Sequence, residues 1–234
     1  MSLNKEIKDQ LISRGASIVG FADLSSLPKD QTKGLSYGIL IGVSVNPEIL
    51  LSINDGPTLE SYEEYKRLNR LLDELDEYTA EILRSKGFSA VPKIKGSVIK
   101  DNQTQRTELP HKTIATRAGV GWIGKCALLV TEEYGSGIRI SSVLTDAILE
   151  TGTPITDSKC GDCLECKNAC PAGAISGESW NVNIDRDKFY NAINCRNTAR
   201  ERCNKIGINE TMCGLCIVKC PWTKGYLRGQ RPAK

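Results

Sequence analysis

The distribution of cysteine is the feature that most constrains this chain. Nine of its ten cysteines lie between residues 160 and 220, and only Cys126 lies outside that segment. Such crowding indicates either a disulfide framework or a metal centre. Disulfide frameworks are typical of small secreted domains, whereas this chain has 234 residues and opens without an apolar signal segment. The pattern therefore predicts metal bound by thiolates, since His111 is the only histidine.

The first part of the cysteine segment has the spacing of an iron–sulfur centre. Three cysteines follow one another at two-residue gaps, and a fourth precedes Pro171 after a gap of three. Bacterial ferredoxins bind [4Fe–4S] clusters through this run, and its fourth cysteine binds the other cluster in two-cluster proteins. Zinc is disfavoured, because a tetrahedral site uses two Cys-x2-Cys pairs and leaves the third cysteine without a role. The run consists of Cys160, Cys163, Cys166 and Cys170.

A second, shorter run occupies residues 213–221 and has the same Cys-Pro ending. It lacks the first cysteine, so one ligand must come from upstream, and the spacing leaves Cys195 and Cys203 as alternatives. The cysteines within this run are Cys213, Cys216 and Cys220.

Exchange of the fourth ligands between the runs predicts two ligand sets. The first ligand set is Cys160, Cys163, Cys166 and Cys220. The second ligand set is Cys170, Cys213, Cys216 and either Cys195 or Cys203. Cys126 is interpreted as a small buried hydrophobic residue rather than a catalytic thiol.

The remaining sequence predicts an α+β fold with a mixed sheet. Residues 37–45 are apolar on both faces, as in a central strand. An apolar stripe from residue 58 to residue 86 predicts a long amphipathic helix. We expect an α/β core domain over residues 1–150, followed over residues 151–234 by a ferredoxin-like double-cluster domain with a basic tail.

A glycine-rich segment lies within the predicted core domain. Gly119, Gly121 and Gly124 flank Trp122 with the spacing of a dinucleotide-binding loop, G-x-G-x-x-G. No strong strand precedes the segment and no acidic ribose partner follows at the expected distance, so this interpretation is weak. Glycines this dense allow close approach to the backbone. The group that approaches is either a large flat cofactor or a neighbouring strand.

The chain resembles the epoxyqueuosine reductase family, well over roughly residues 110–225 and in outline before them. Members of that family are cytoplasmic, cobalamin-dependent enzymes with two [4Fe–4S] clusters, related in core fold to reductive dehalogenases. The matching segments are residues 118–125, 128–129, 134–136, 144–146, 160–171 and 213–222, the last ending in Cys-Pro-Trp.

The resemblance implies a nitroreductase-like, corrinoid-binding core whose clusters pass electrons from a donor such as ferredoxin or flavodoxin to the corrinoid, which reduces a small or modified substrate. It favours Cys195 over Cys203 in the second ligand set. Its implied corrinoid contacts are Gly119, Gly121, Trp122, Gly124 and Lys125.

Two departures from the family disfavour tRNA as the substrate. The family has a proton-donating aspartate in a Val-Asp-Ser-Ala-Pro-like stretch, whereas residues 91–101 lack that context and offer only Asp101 as a catalytic candidate. The C-terminal helical repeats that help many members to grip tRNA also have no counterpart here.

His111 is interpreted as a surface or hydrogen-bonding residue rather than a cobalt ligand.

Two alternative functions remain. The chain could be an electron-transfer protein without catalysis, or a tRNA epoxyqueuosine reductase that contacts phosphate through basic residues around Cys203. A net charge of +3 is too small to indicate nucleic-acid binding by itself. No apolar run is long enough to span a membrane, and we expect a cytoplasmic protein. The basic residues are Arg196, Arg200, Arg202 and Lys205.

Overall fold

The computed structural model describes residues 2–97 and 101–229. Its helices are α1 (Leu3–Ser13), α2 (Lys29–Thr32), α3 (Pro47–Ser52), α4 (Leu59–Ser85), α5 (His111–Arg117), α6 (Glu165–Asn168), α7 (Arg186–Phe189), α8 (Ala192–Asn204), α9 (Leu215–Lys219) and α10 (Pro221–Leu227). Its strands are β1 (Ile18–Asp23), β2 (Tyr37–Ser44), β3 (Ala90–Pro92), β4 (Trp122–Ile123), β5 (Leu129–Val130) and β6 (Ile138–Thr145).

The main sheet has the strand order β1-β2-β6-β3, and all three of its pairings are antiparallel in the described part of the chain. The prediction of a mixed sheet is therefore wrong, whereas the α+β class is confirmed. Strand β2 is apolar on both faces because helices cover both sides of the sheet, not because it pairs in parallel. Helices α1 and α4 pack with one face, and α5 packs with the other.

Helix α4 begins and ends where the sequence pattern predicts. Thr58 is its N-cap, and the Thr58 and Ser61 side chains each accept a hydrogen bond from the other residue's backbone N–H, at 3.1 and 2.9 Å. This capping box satisfies donors that a helix start leaves free. The buried stripe of α4 includes Leu68, Leu72 and Leu75. Each such side chain contributes roughly 1.5–3 kcal/mol when it leaves water, which fixes the helix on the sheet.

The second part of the chain shares a core with the first. Strands β4 and β5 form a separate antiparallel hairpin, and Trp122 packs there in one cluster with Trp180, Phe189 and Cys220. The Ser136 backbone N–H also donates to Thr223 Oγ1 of α10 at 3.0 Å. This cluster thus contains residues from both sides of residue 150, and the division into two domains stays a prediction. In the ranges 2–97 and 101–229, no helix is long and apolar enough to cross a lipid bilayer.

Candidate metal centre and adjoining cleft

One cavity of about 110 Å³, here called the cysteine cavity, is bordered by the whole first ligand set. A [4Fe–4S] cubane takes one thiolate at each of four iron corners, so its donors surround a volume instead of converging on one point. Thiols arranged around a cavity fit this group. Within the described ranges, no three His, Cys, Asp or Glu side chains are arranged to hold a single metal ion. The residues bordering the cavity are Gly124, Lys125, Cys126, Val130, Cys160, Cys163, Cys166, Cys220, Pro221 and Trp222.

Proline explains how Cys220 reaches this cavity. Cys220 ends α9 and precedes Pro221, the first residue of α10. A residue before proline is pushed out of the helical region, and Cys220 has an extended backbone with φ −61° and ψ 129°. The chain therefore turns at Cys220, whose side chain is only 9% exposed. Helix α9 also packs against α6, which joins the two cysteine runs.

Three cysteines of the second ligand set are neighbours. Burial raises the pKa of the Cys195 thiol, a hydrogen bond with Tyr190 lowers it, and the nearby Cys170 and Cys213 raise it further. None of the ten cysteines, all of which lie in the described ranges, forms a disulfide. The fourth member, Cys216, lies close enough to Cys126 to raise the pKa of that thiol.

Cys195 and Cys203 lie on the same helix, α8, in different surroundings. Cys203 is fully buried, and its sulfur donates to the Met212 carbonyl and accepts from the Met212 backbone N–H, both at 3.3 Å. The sulfur of Cys203 is thus occupied by backbone groups, whereas Cys195 lies among other thiols. This arrangement favours Cys195, and both complete ligand sets stay predictions.

The backbone of this chain fills the space beside two of the glycines proposed to contact a corrinoid. A Cβ atom on Gly119 would lie 2.6 Å from the Thr153 carbonyl oxygen, and one on Gly121 would lie 2.3 Å from the Val130 carbonyl oxygen. Close packing within the chain accounts for both glycines, and at Gly121 the neighbour is strand β5, as in the second of the two alternatives above.

The other three proposed corrinoid contacts lie at or near the cysteine cavity. Gly124 and Lys125 border it directly. Trp122 is fully buried and packs edge-to-face against Trp222, with ring centroids 4.8 Å apart. The assignment of these residues to a corrinoid stays a prediction.

A larger cleft of about 370 Å³ adjoins the hairpin that carries this segment. Lys112 lines it and donates from Nζ to the Ala127 carbonyl at 2.8 Å. Burial lowers the pKa of Lys112 to about 8, and the positive charge of Arg186 contributes. Such a pKa allows proton exchange near neutral pH. The cleft is lined by Gln31, Gln105, Arg106, Thr107, Glu108, Leu109, Pro110, Lys112, Thr113, Ile123, Trp180, Ile184, Arg186 and Phe189.

Asp101, the predicted proton donor, lies in an exposed turn and does not line the cleft. Its carboxylate accepts from the backbone N–H groups of Gln103 at 2.9 Å and Thr104 at 2.6 Å, and from the Thr104 hydroxyl. These hydrogen bonds lower the pKa of Asp101. They favour the ionised form, which is the opposite of what a proton donor needs, so the role of Asp101 stays a prediction without support from this geometry.

Sequence reasoning missed Lys112, because a lysine at the start of a helix is ordinarily a surface residue.

The neighbouring His111 forms a hydrogen bond between its Nδ1 atom and the Ser142 Oγ atom, at 2.9 Å. Burial, together with the positive charges of Lys93 and Arg139, lowers the pKa of His111 to about 4. This histidine is a hydrogen-bonding residue, one of the two roles expected for it.

Comparison with known proteins agrees with the geometry of the thiols. Residues 159–223 match the family described as a 4Fe-4S double cluster binding domain. The epoxyqueuosine reductase of Listeria monocytogenes is 35% identical to this chain over 120 residues, which cover 51% of this chain and 31% of that protein. Over that half of its length, this chain is similar to epoxyqueuosine reductase. The matched segment spans about a third of the curated relatives' length.

Solved structures of two enzyme groups share the fold. An epoxyqueuosine reductase bound to an epoxyqueuosine-modified tRNA-Tyr stem loop has a TM-score of 0.61 at 21% identity and covers 96% of this chain and 66% of that one. The Bacillus subtilis enzyme, with its catalytic aspartate loop swung out of the active site, gives the same values. A reductive dehalogenase described with a B12-dependent mechanism has a TM-score of 0.64 at 19% identity and covers 93% of this chain and 31% of that one. The domain match supports two [4Fe–4S] clusters in this chain.

Proposed function

We propose that this epoxyqueuosine reductase relative is an iron–sulfur reductase that delivers electrons from two [4Fe–4S] clusters to a ligand in the cleft. The observation that carries the proposal is the connection between the two sites. The hairpin turn at residues 124–127 borders the cysteine cavity with Gly124, Lys125 and Cys126, and its Ala127 carbonyl binds Lys112 of the cleft. A low-potential protein such as ferredoxin or flavodoxin is the proposed donor.

The clusters rest on the two ligand sets, completed by Cys195. When bound, they supply single electrons at low potential. The two proposed domains then have different roles. Residues 1–150 contribute most of the cleft, and residues 151–234 contribute the cysteines of both ligand sets.

The cleft suits reduction because it combines an apolar wall with a cationic rim. Ile123, Trp180 and Phe189 form the wall and limit the access of water, which strengthens electrostatic interactions inside. Arg106 and Arg186 lie at the rim and tie the loop before α5 to α7: Arg106 pairs with Asp185 and Asp187, and Arg186 donates to the Gln105 carbonyl at 3.0 Å.

A corrinoid fits this cleft in chemical character. The apolar wall would hold its flat ring, the cations and amides of the rim would meet its polar substituents, and the bound group would supply a strongly reducing metal. Anaerobic reconstitution with cobalamin, followed by visible spectra with and without a low-potential reductant, tests the assignment. We expect spectral changes that require the protein. Their absence would contradict the corrinoid and leave the clusters as an electron-transfer device, which is the non-catalytic alternative.

Reduction of epoxyqueuosine in tRNA is a second candidate activity. The curated relatives carry that name, and one structural relative is solved with a modified tRNA stem loop. In the described part of this chain, Arg196, Arg200 and Lys205 on or next to α8 have no ion-pair partner, which leaves them available to phosphate. Anaerobic turnover of epoxyqueuosine-containing tRNA, with unmodified tRNA as the control, separates this substrate from a small molecule.

Lys112 is the best placed group to hold the proton that accompanies reduction. In cluster-loaded protein, we expect Lys112→Met to lower the rate of substrate reduction by about 10²-fold or more. Asp101→Ala should lower the same rate by less than about twofold. The lysine acts while protonated, so the wild-type rate should fall as the pH rises through about 8. Steady-state rates between pH 6 and 10 measure this. A large loss in Asp101→Ala with an intact Lys112→Met would instead support a catalytic loop at Asp101, as in the Bacillus relative.

A further inference from the structure

The cysteine cavity contains a lysine that has no partner. Lys125 borders the cavity and is only 4% exposed. Among the described residues, no acceptor forms a hydrogen bond or ion pair with its ammonium group. The side chain is largely buried, but its Nζ atom is not among the fully buried polar atoms without a partner, so the ammonium group keeps some accessible surface. An anion bound in the cavity would give this ammonium group the counter-charge that the described residues do not supply.

The local backbone holds Lys125 at this position. The Ala127 N–H donates to the Gly124 carbonyl at 2.8 Å, which closes a tight turn with Lys125 and Cys126 at its centre. The Gly124 N–H donates to the Leu128 carbonyl at 2.9 Å, and Ala127 takes a left-handed φ of +60°. Lys112 binds the Ala127 carbonyl from outside the turn at 2.8 Å. Lys125 therefore lies on a fixed turn and not on a mobile loop.

Gly124 keeps this turn close to the cysteine sulfurs. A Cβ atom at Gly124 would lie 3.7 Å from the Sγ atoms of both Cys126 and Cys160, and 2.8 Å from Val130 Cγ2. Four thiolates around a [4Fe–4S] core give a unit of net negative charge, and one-electron reduction adds one more negative charge to it. Because the interior screens poorly, a buried cation beside such a unit favours the reduced form.

We propose that Lys125 is the counter-charge of the cluster on the first ligand set and raises its reduction potential. This inference rests on the proposed ligand set. Lys125 would act by placing a positive charge beside the cluster, and it is not proposed to contact the substrate. Cys126 lies on the same turn, beside the sulfurs of the ligand set, but the charge of Lys125 should have the larger effect on the reduction potential.

Redox titration of anaerobically reconstituted protein with dithionite, followed by electron paramagnetic resonance, tests the proposal. We expect Lys125→Met to shift the midpoint potential of one cluster downward and to leave the other unchanged. Lys125→Arg keeps the charge and should stay close to the wild type. Lys159→Met is the matched control, because Lys159 adjoins Cys160 but is 48% exposed and pairs with Glu132 at 2.7 Å. It should shift neither potential.

Iron and acid-labile sulfide analysis separates this inference from the proposed function. A wild type without two clusters would overturn the proposed function. Full iron in Lys125→Met with unchanged potentials would overturn the role of Lys125 alone. If Lys125→Met fails to take up the cluster, Lys125→Arg decides. Uptake of both clusters at wild-type potential supports the counter-charge, and a loss equal to that of the methionine variant contradicts it.

Discussion

At the scale of single residues, the choice between Cys195 and Cys203 shows what a motif can and cannot specify. The motif spacing requires one ligand from upstream and allows either of the two cysteines, because both precede residue 213. The surroundings differ: Cys203 binds the Met212 backbone through its sulfur, whereas Cys195 lies near Cys170 and Cys213. Only the folded chain separates the two, because helix α8 directs the side chains of Cys195 and Cys203 to different environments.

Iron content provides the test at this scale. Cys195→Ala should reduce the iron of reconstituted protein from about eight to about four atoms per chain, because a cubane that lacks one thiolate is lost or unstable. Cys203→Ala is the matched variant on the same helix and should keep all of its iron. It should lower the free energy of unfolding by about 1–2 kcal/mol through the lost hydrogen bonds of its sulfur. The reverse pattern would replace Cys195 by Cys203 in the second ligand set.

At the scale of secondary-structure elements, helix α4 is the best predicted part of the fold. Its apolar stripe, its Thr58 cap and its stop before Gly87 all follow from local sequence. The pattern did not predict Asp76, which faces the sheet and is fully buried. Its only hydrogen-bonding partner is the Ser141 hydroxyl of β6, and its Oδ1 atom has none in the described structure.

Burial raises the pKa of Asp76 to about 8, with added repulsion from Asp73 and Glu77. The unfolded chain loses this proton near pH 4, whereas the folded protein keeps it until about pH 8. Stability should therefore be greatest below pH 4 for this group and fall as the pH rises from about 4 to 8, by up to about 1.4 kcal/mol per pH unit.

Denaturant unfolding of the cluster-loaded protein at several pH values measures this slope. Asp76→Asn should flatten the fall between pH 4 and 8, since the amide does not titrate. Glu81→Gln changes an exposed carboxylate of the same helix and should leave the slope nearly as it is. Equal slopes in the wild type and in Asp76→Asn would mean that the carboxyl is ionised in the folded protein.

At the scale of the whole molecule, the C-terminal helix α10 returns to the turn before β6. Gly135 has φ +55°, and a Cβ atom there would lie 2.2 Å from the Thr223 backbone nitrogen. Tyr226 of the same helix donates from its hydroxyl to the Val45 carbonyl at 2.9 Å. These contacts hold the cysteine segment against the main sheet and keep the cysteine cavity next to the cleft.

A pair of glycine variants tests this docking. Gly135→Ala should lower the free energy of unfolding by roughly 3 kcal/mol or more, since it adds a clash to the strain of a positive φ. Gly34 has φ +75° and nothing within 4 Å of its Cβ position, so Gly34→Ala should cost only about 1–2 kcal/mol. Urea unfolding compares them. Equal losses would mean that α10 does not need the close approach at Gly135.

The sequence by itself determined the double-cluster chemistry, the α+β class and the main helices, because ligand spacing, apolar periodicity and caps are local properties of the chain. The tertiary structure decided the rest. Close packing within the chain fills the space beside Gly119 and Gly121, helices on both faces bury an antiparallel sheet, and Lys112 and Lys125 acquire their surroundings from distant segments. Burial and charge environment depend on contacts far apart in sequence, and no local pattern encodes them.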